Sequence, residues 1–185
     1  MTRMFLPAVF AAAAGLAAGT SEAAEPTAFE AFVLRPGVAV EFSQAVGAIE
    51  SEDARVEVTA LVAADTADAS KKMRGLKLSM TDNAGLDQVY LDESLLVTLQ
   101  EDLAGIEGGI PELENSITPY RVQGTASCWM PARPQRILCP SYRVGPDWSG
   151  LMLSAYGSDG FEFPARRPAE LAALIQRAIE TLPPR

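Results

Sequence analysis

Two stretches of the chain share an order of hydrophobic and polar positions. In the first, Val56, Val58, Ala60 and Val62 alternate with other residues, and Leu76, Leu78 and Met80 repeat the alternation. A period of two is the mark of a strand with one buried face. The run Thr81-Asp82-Asn83-Ala84-Gly85 supplies turn residues, and Val89-Tyr90-Leu91 returns as a further strand. The period then changes. Leu96, Leu99, Leu103 and Ile106 fall at helical spacing, with Asp92 or Ser94 as the cap, and Gly108-Gly109 before Pro111 is expected to end the helix.

The second stretch predicts strands over 120–128, 136–144 and 150–156, a turn at Gly157-Ser158-Asp159-Gly160 and a return at Phe161-Glu162-Phe163. Its helix is the clearest in the chain. Pro168 suits the first helical position, where its missing N–H is not needed, and Glu170 complements the helix dipole. Leu171, Leu174, Ile175, Ala178, Ile179 and Leu182 then form one apolar stripe, closed by Pro183-Pro184. Ahead of both stretches, Phe32 to Leu34 and Val38, Val40 and Phe42 read as one or two more strands, divided by Pro36-Gly37. The segment 64–70 is small and polar and reads as a mobile loop.

Laid on itself at an offset of 75, the chain matches weakly: Gly75-Leu76-Lys77-Leu78-Ser79 falls on Gly150-Leu151-Met152-Leu153-Ser154, Gly85 on Gly160, Leu96 on Leu171 and Leu99 on Leu174. Neither stretch has enough apolar surface to bury both a helix stripe and a sheet face by itself. The expectation is therefore an α+β fold: an antiparallel sheet with two amphipathic helices on one face, built from two weakly similar β-β-β-α halves over 54–110 and 118–183.

The first residues have another character. Arg3 is followed by an apolar run from Met4 to Phe10 and an Ala-rich stretch to Ala18, and Ser21 and Ala23 are small residues at the positions a leader peptidase reads. This is the form of a secretory signal peptide over 1–23, leaving 24–185 as one domain that is periplasmic or secreted. No later segment is long and apolar enough to be a transmembrane span. In an oxidising compartment Cys128 and Cys139, the two cysteines of the chain, are expected to form a disulfide. Closing so short a loop is worth about 3 kcal/mol on the chain-entropy account.

Composition narrows the chemistry. Apolar residues make up 48% and charged residues 21%, the balance of a folded chain. There is no histidine, which removes the Ser–His–Asp and Cys–His nucleophiles and imidazole-held zinc or haem. No nucleophile elbow, phosphate-binding loop or dinucleotide fingerprint occurs, and no cofactor is implied. A net charge of −9 argues against nucleic acid as a partner. The charge is also uneven. Residues 24–115 hold 18 acidic and 6 basic side chains, whereas 116–185 hold 5 acidic and 8 basic, all eight of them arginine. Arginine is the side chain best shaped for carboxylate or phosphate.

These features direct attention to the loop from Cys128 to Cys139. Closed by a disulfide and stiffened by Pro131 and Pro134, it presents Trp129, Arg133 and Arg136, residue types enriched at interface hot spots, with Arg143 and Trp148 beside it. The sequence thus reads as an exported, non-enzymatic binding or adaptor protein that contacts a protein or an anionic small ligand of the envelope through these five residues. The alternative is a carboxylate-based hydrolase of glycans or cell-wall material, drawing on acids such as Asp92, Glu93, Glu101 and Asp102. A subunit of an envelope assembly is a third reading. Two further clusters read as structural: Asp82, Asn83 and Asp87 as turn residues rather than a calcium loop, and Lys71-Lys72-x-Arg74 as a solvated basic edge.

Overall fold

The computed structural model of the chain describes residues 26–83, 85–115, 121–124, 138–145, 149–155, 161–164 and 168–184. A short helix α1 (Ala28–Val33) precedes four strands, β1 (Val38–Glu50), β2 (Ala54–Asp65), β3 (Lys72–Asp82) and β4 (Gly85–Asp92), and a long helix α2 (Glu93–Asn115). Four more strands follow, β5 (Arg121–Gly124), β6 (Leu138–Val144), β7 (Ser149–Ala155) and β8 (Phe161–Pro164), and then α3 (Pro168–Thr181). Each group of strands is an antiparallel meander, in the order β1-β2-β3-β4 and β5-β6-β7-β8.

The α+β class holds, but the strands divide into two four-stranded sheets instead of sharing one. The positions that match at an offset of 75 fall in equivalent elements: Gly75–Ser79 and Gly150–Ser154 are both in third strands, and Leu96, Leu99, Leu171 and Leu174 all lie in the helices that follow. Leu76, Leu78, Leu151 and Leu153 are all fully buried. Each of these two helices packs on the sheet that it does not follow, α2 keeping contacts to β3 and β4 as well. α3, which follows the second sheet, packs on β1, β2 and β3, while α2, which follows the first, reaches β5 and β6. One apolar cluster consequently joins Val58, Leu76 and Leu78 of the first sheet to Leu138, Leu151 and Leu153 of the second, through Leu103 of α2 and Ile175 of α3. Helix α2 also presents its Glu107 carboxylate to the Ala169 N–H at the start of α3, at 3.3 Å.

Two expectations about the helices do not hold. Phe32 and Val33 belong to α1, and Leu34 is its C-cap, where a strand was expected. Thr27 starts this helix: its hydroxyl accepts from the Glu30 N–H at 3.0 Å and donates to the Tyr90 carbonyl at 2.6 Å. Phe29, fully buried, then stands edge-on to Tyr90 at 6.3 Å and joins Leu61 in a second core, beneath the face of the first sheet opposite α3. Burial, and next the charge of Glu30, raise the Tyr90 phenol above its ordinary pKa.

The second correction concerns α2, which runs through Gly108, Gly109 and Pro111 to Asn115. Proline cannot donate to the helix ladder, and glycine favours a stop. The helix nevertheless continues, because Ile106 and Ile110 are buried against Tyr142 and Val144 of β6. Its start is as expected: the Asp92 carboxylate accepts from the N–H groups of Ser94 and Leu95, at 2.9 and 3.1 Å.

Between β2 and β3 the segment that reads as mobile is tied down. Thr66 donates its N–H and hydroxyl to the Gly37 carbonyl, Arg35 meets Asp65 at 2.7 Å, and Asp68 accepts from Ser70 and pairs with Lys71.

Candidate functional site

Among the described residues a groove opens at the end of the first sheet, where α3 has ended and its tail turns across β3. Its cavity is about 790 Å³, within the usual size range of small-molecule sites. Cross-strand pairing builds the floor. Phe42 of β1 is opposite Val62 of β2, and Val62 is opposite Arg74 of β3. Pro183 and Pro184, immediately beyond α3, line another side.

Arg74 is there because of strand parity. Met80, Leu78 and Leu76 point to the α3 side of β3 and are fully buried; continuing in steps of two, the same face carries Arg74 and then Lys72. The inward row thus changes from apolar to cationic at the point where the helical cover stops. Arg74 is the better held of the two cations, its side chain only 23% exposed. Its Nε lies 2.8 Å from a Glu93 carboxylate oxygen, and one terminal NH₂ donates to the Pro183 carbonyl at 2.6 Å. One guanidinium thereby joins β3, the start of α2 and the chain beyond α3. Lys72, 47% exposed, meets Glu41 at 2.6 Å.

Glu41 reaches this position through an irregularity in β1. Val40 pairs with Ala63 and Phe42 with Val62, so Glu41 is an extra residue in the ladder. Such bulges re-aim side chains at sheet edges and beside sites. Here the bulge keeps Phe42 on the floor while the Glu41 carboxylate extends across β2 to Lys72.

The basic run that reads as a solvated edge is accordingly divided. Lys71 is exposed and pairs with Asp68 at 3.3 Å, whereas Lys72 and Arg74 line the groove. The alternation itself carried the signal, since Lys72 and Arg74 are in register with Leu76, Leu78 and Met80.

Of the residues that the sequence nominates for binding, the structure describes Arg143. Trp129, Arg133, Arg136 and Trp148 lie outside the described residues, as do Cys128 and residues 1–23, which were read as a leader. On β6, Leu138, Pro140, Tyr142 and Val144 are buried, while Cys139, Ser141 and Arg143 alternate with them on the opposite face and are partly exposed. Cys139 and Arg143 therefore share one face of the second sheet, away from α2. Arg143 lies across from Gly150, and its Nε is buried with no hydrogen-bond partner among the described residues.

No family model, curated protein or solved structure matches the chain.

The acids considered for hydrolysis lie at the start of α2 and about two turns further on, where Asp102 is partly exposed. Asp92 caps the helix, Glu93 pairs with Arg74, and Glu101 is exposed on the next turns. Around the β3–β4 turn, Asp82 accepts from the Gly85 N–H at 2.9 Å and Asn83 donates to Asp53 at 3.1 Å, which are turn and inter-hairpin contacts. Among the described residues no helix is long and apolar enough to cross a membrane.

Proposed function

We propose that the chain is an exported binding protein that acts without covalent chemistry, and that the groove at the end of the first sheet is its ligand site. The observation that carries this reading is the inward row Leu76–Arg74–Lys72. It places two cations beside an apolar floor in a cavity of about 790 Å³, where a strand facing only its own core would continue with apolar residues. Convergent polar groups in an otherwise apolar concavity are the usual composition of a small-molecule site. Native mass spectrometry of the protein taken from its own envelope fraction tests the proposal. The expected result is a non-covalent adduct that is lost on denaturation. A bare chain mass, together with no thermal stabilisation by any class of small ligand, overturns it.

The second sheet supplies a further contact face in this reading. Cys128 and Cys139 form a disulfide, and the closed loop offers Trp129, Arg133 and Arg136 to a protein or anionic partner of the envelope, with Arg143 and Trp148 alongside. The arginine bias of residues 116–185 supports this, as does the position of Arg143 on the Cys139 face of β6. Two results are expected. Iodoacetamide should label the native chain only after reduction. The double variant Arg133→Glu, Arg136→Glu should lose at least about tenfold in affinity for a captured partner, while its melting temperature stays within about 2 °C of the parent, as exposed charges contribute little to stability. Undiminished capture by the variant would assign the loop a purely structural role.

A further inference from the structure

We infer that the groove takes a singly charged amphipathic carboxylate, a compound with an unbranched apolar chain and one carboxylate headgroup. This deepens the binding reading and rests on it.

Donor supply is the first argument. An ammonium carries three N–H donors and a guanidinium five. Glu41 occupies Lys72 through one contact, and Arg74 is engaged by Glu93 and the Pro183 carbonyl. Both cations have more donors than these contacts use, so the polar end of the groove favours a ligand that accepts. Arg74 is also fixed by its two partners, so its remaining N–H groups are held in place before a ligand arrives.

The apolar part of the lining gives the second argument. Phe42 and Val62 form a continuous floor, and Pro183 and Pro184 add a rigid side with no backbone N–H to satisfy. An alkyl chain asks for such a surface, and burying it contributes in proportion to the area covered. A sugar or a nucleotide would leave many of its own polar groups without partners here.

The number of charges follows from the rest of the molecule. The chain carries −9 overall, and the groove holds its own carboxylate, Glu41. That field opposes polyanions such as nucleotides more strongly than it opposes a single carboxylate. The bulge at Glu41 suggests how the headgroup enters. It exchanges with the Glu41 carboxylate on Lys72, and Glu41, exposed on the edge strand, turns to water.

Isothermal titration of the full oxidised chain with decanoate, kept below its micelle-forming concentration, tests the inference, with 1-decanol and decyltrimethylammonium as the uncharged and cationic comparisons. Decanoate should bind saturably, one per chain, and at least about tenfold more tightly than either comparison. Lys72→Gln should weaken decanoate by about tenfold and leave decanol unchanged. Because Lys72 is half-exposed, this variant should keep the parent far-ultraviolet spectrum, whereas Arg74→Gln also removes contacts to α2 and the tail. Decyltrimethylammonium or decanol binding as tightly as decanoate, with Lys72→Gln indifferent, would overturn the carboxylate class and leave a ligand groove standing. Decanoate binding more tightly than both comparisons but unchanged by Lys72→Gln would place its site outside the groove and overturn the inference. If none of the three compounds binds, the carboxylate inference fails, and the adduct measurement on the envelope protein then decides the binding reading separately.

Discussion

Gly75→Ala is expected to destabilise the protein by about 3 kcal/mol, the upper end of what overpacking normally costs. An alanine Cβ at this position would overlap the Leu91 carbonyl and come to 2.7 and 2.8 Å from two ring carbons of Phe29. Both neighbours resist movement. The Leu91 carbonyl belongs to the β3–β4 ladder, where Gly75 lies opposite Asp92 and Leu76 opposite Leu91. The Phe29 ring is fully buried and packed edge-on against Tyr90. At about 2–4 °C per kcal/mol for a chain of this size, the melting temperature should fall by about 6–12 °C. Adding Phe29→Ala to Gly75→Ala should not restore stability, because the carbonyl overlap remains and a large buried ring is lost. A melting temperature within 2 °C of the parent would show that α1 is not held against the sheet at this point.

Leu76→Ala tests the shared core. Leu76 is fully buried in the first sheet, and truncating such a leucine costs about 2–5 kcal/mol, or roughly 10 °C in melting temperature. Which probes should report the loss is the more informative point. Both tryptophans, Trp129 and Trp148, belong to the second half of the chain. The apolar cluster passes from Leu76 and Leu78 to Leu151 and Leu153, with α3 packed on the first sheet and α2 on the second. Tryptophan fluorescence and far-ultraviolet dichroism should therefore shift together after a substitution in the first half, in a single transition. If fluorescence kept the parent midpoint while dichroism moved, the two sheets would unfold as separate units. The close approach of α3 to β1 adds to this coupling: Gly47 stands at a bulge, and an added Cβ there would come within 3.0 Å of a Leu174 methyl.

The groove illustrates why a site can be present in a sequence and still be missed there. Lys72 and Arg74 read as a basic edge because a charged run beside a polar loop is ordinarily solvated. Their parity with Leu76, Leu78 and Met80 pointed to the inner face of the strand. What remained hidden was the length of the cover on that face. α3 ends at Thr181, and its tail crosses near β3, so the last two inward positions face a cavity instead of a helix. Glu93 has a similar history. On a helix it reads as one of several acids, and only the packing of β3 against the start of α2 makes it the partner of Arg74.

By itself the sequence determined what depends on neighbours along the chain. Alternation marked β2 and β3, turn residues marked the return strands β4 and β8, and β1 was marked by its first residues. The helical stripe identified α3 and the first turns of α2, and the Asp92 cap and Pro168 were legible because capping and φ restriction act within a few residues. The order strands-then-helix, twice over, was likewise readable. Tertiary structure decided everything that required knowing which face meets which. The strands divide into two sheets, with α3 packed on the first and α2 reaching from β3 and β4 to β5 and β6, an arrangement invisible to local periodicity. α2 passes its glycines and Pro111 because burying Ile106 and Ile110 against Tyr142 outweighs the local preference to stop. Phe32 and Val33 are helical because Thr27 caps the turn and Phe29 fills the space that Gly75 leaves open on the sheet. Apart from proline, at about 3 kcal/mol, local propensity differs by about 1 kcal/mol per residue or less, whereas burying one large side chain is worth about 1.5–3 kcal/mol, so several buried side chains together outweigh a local preference.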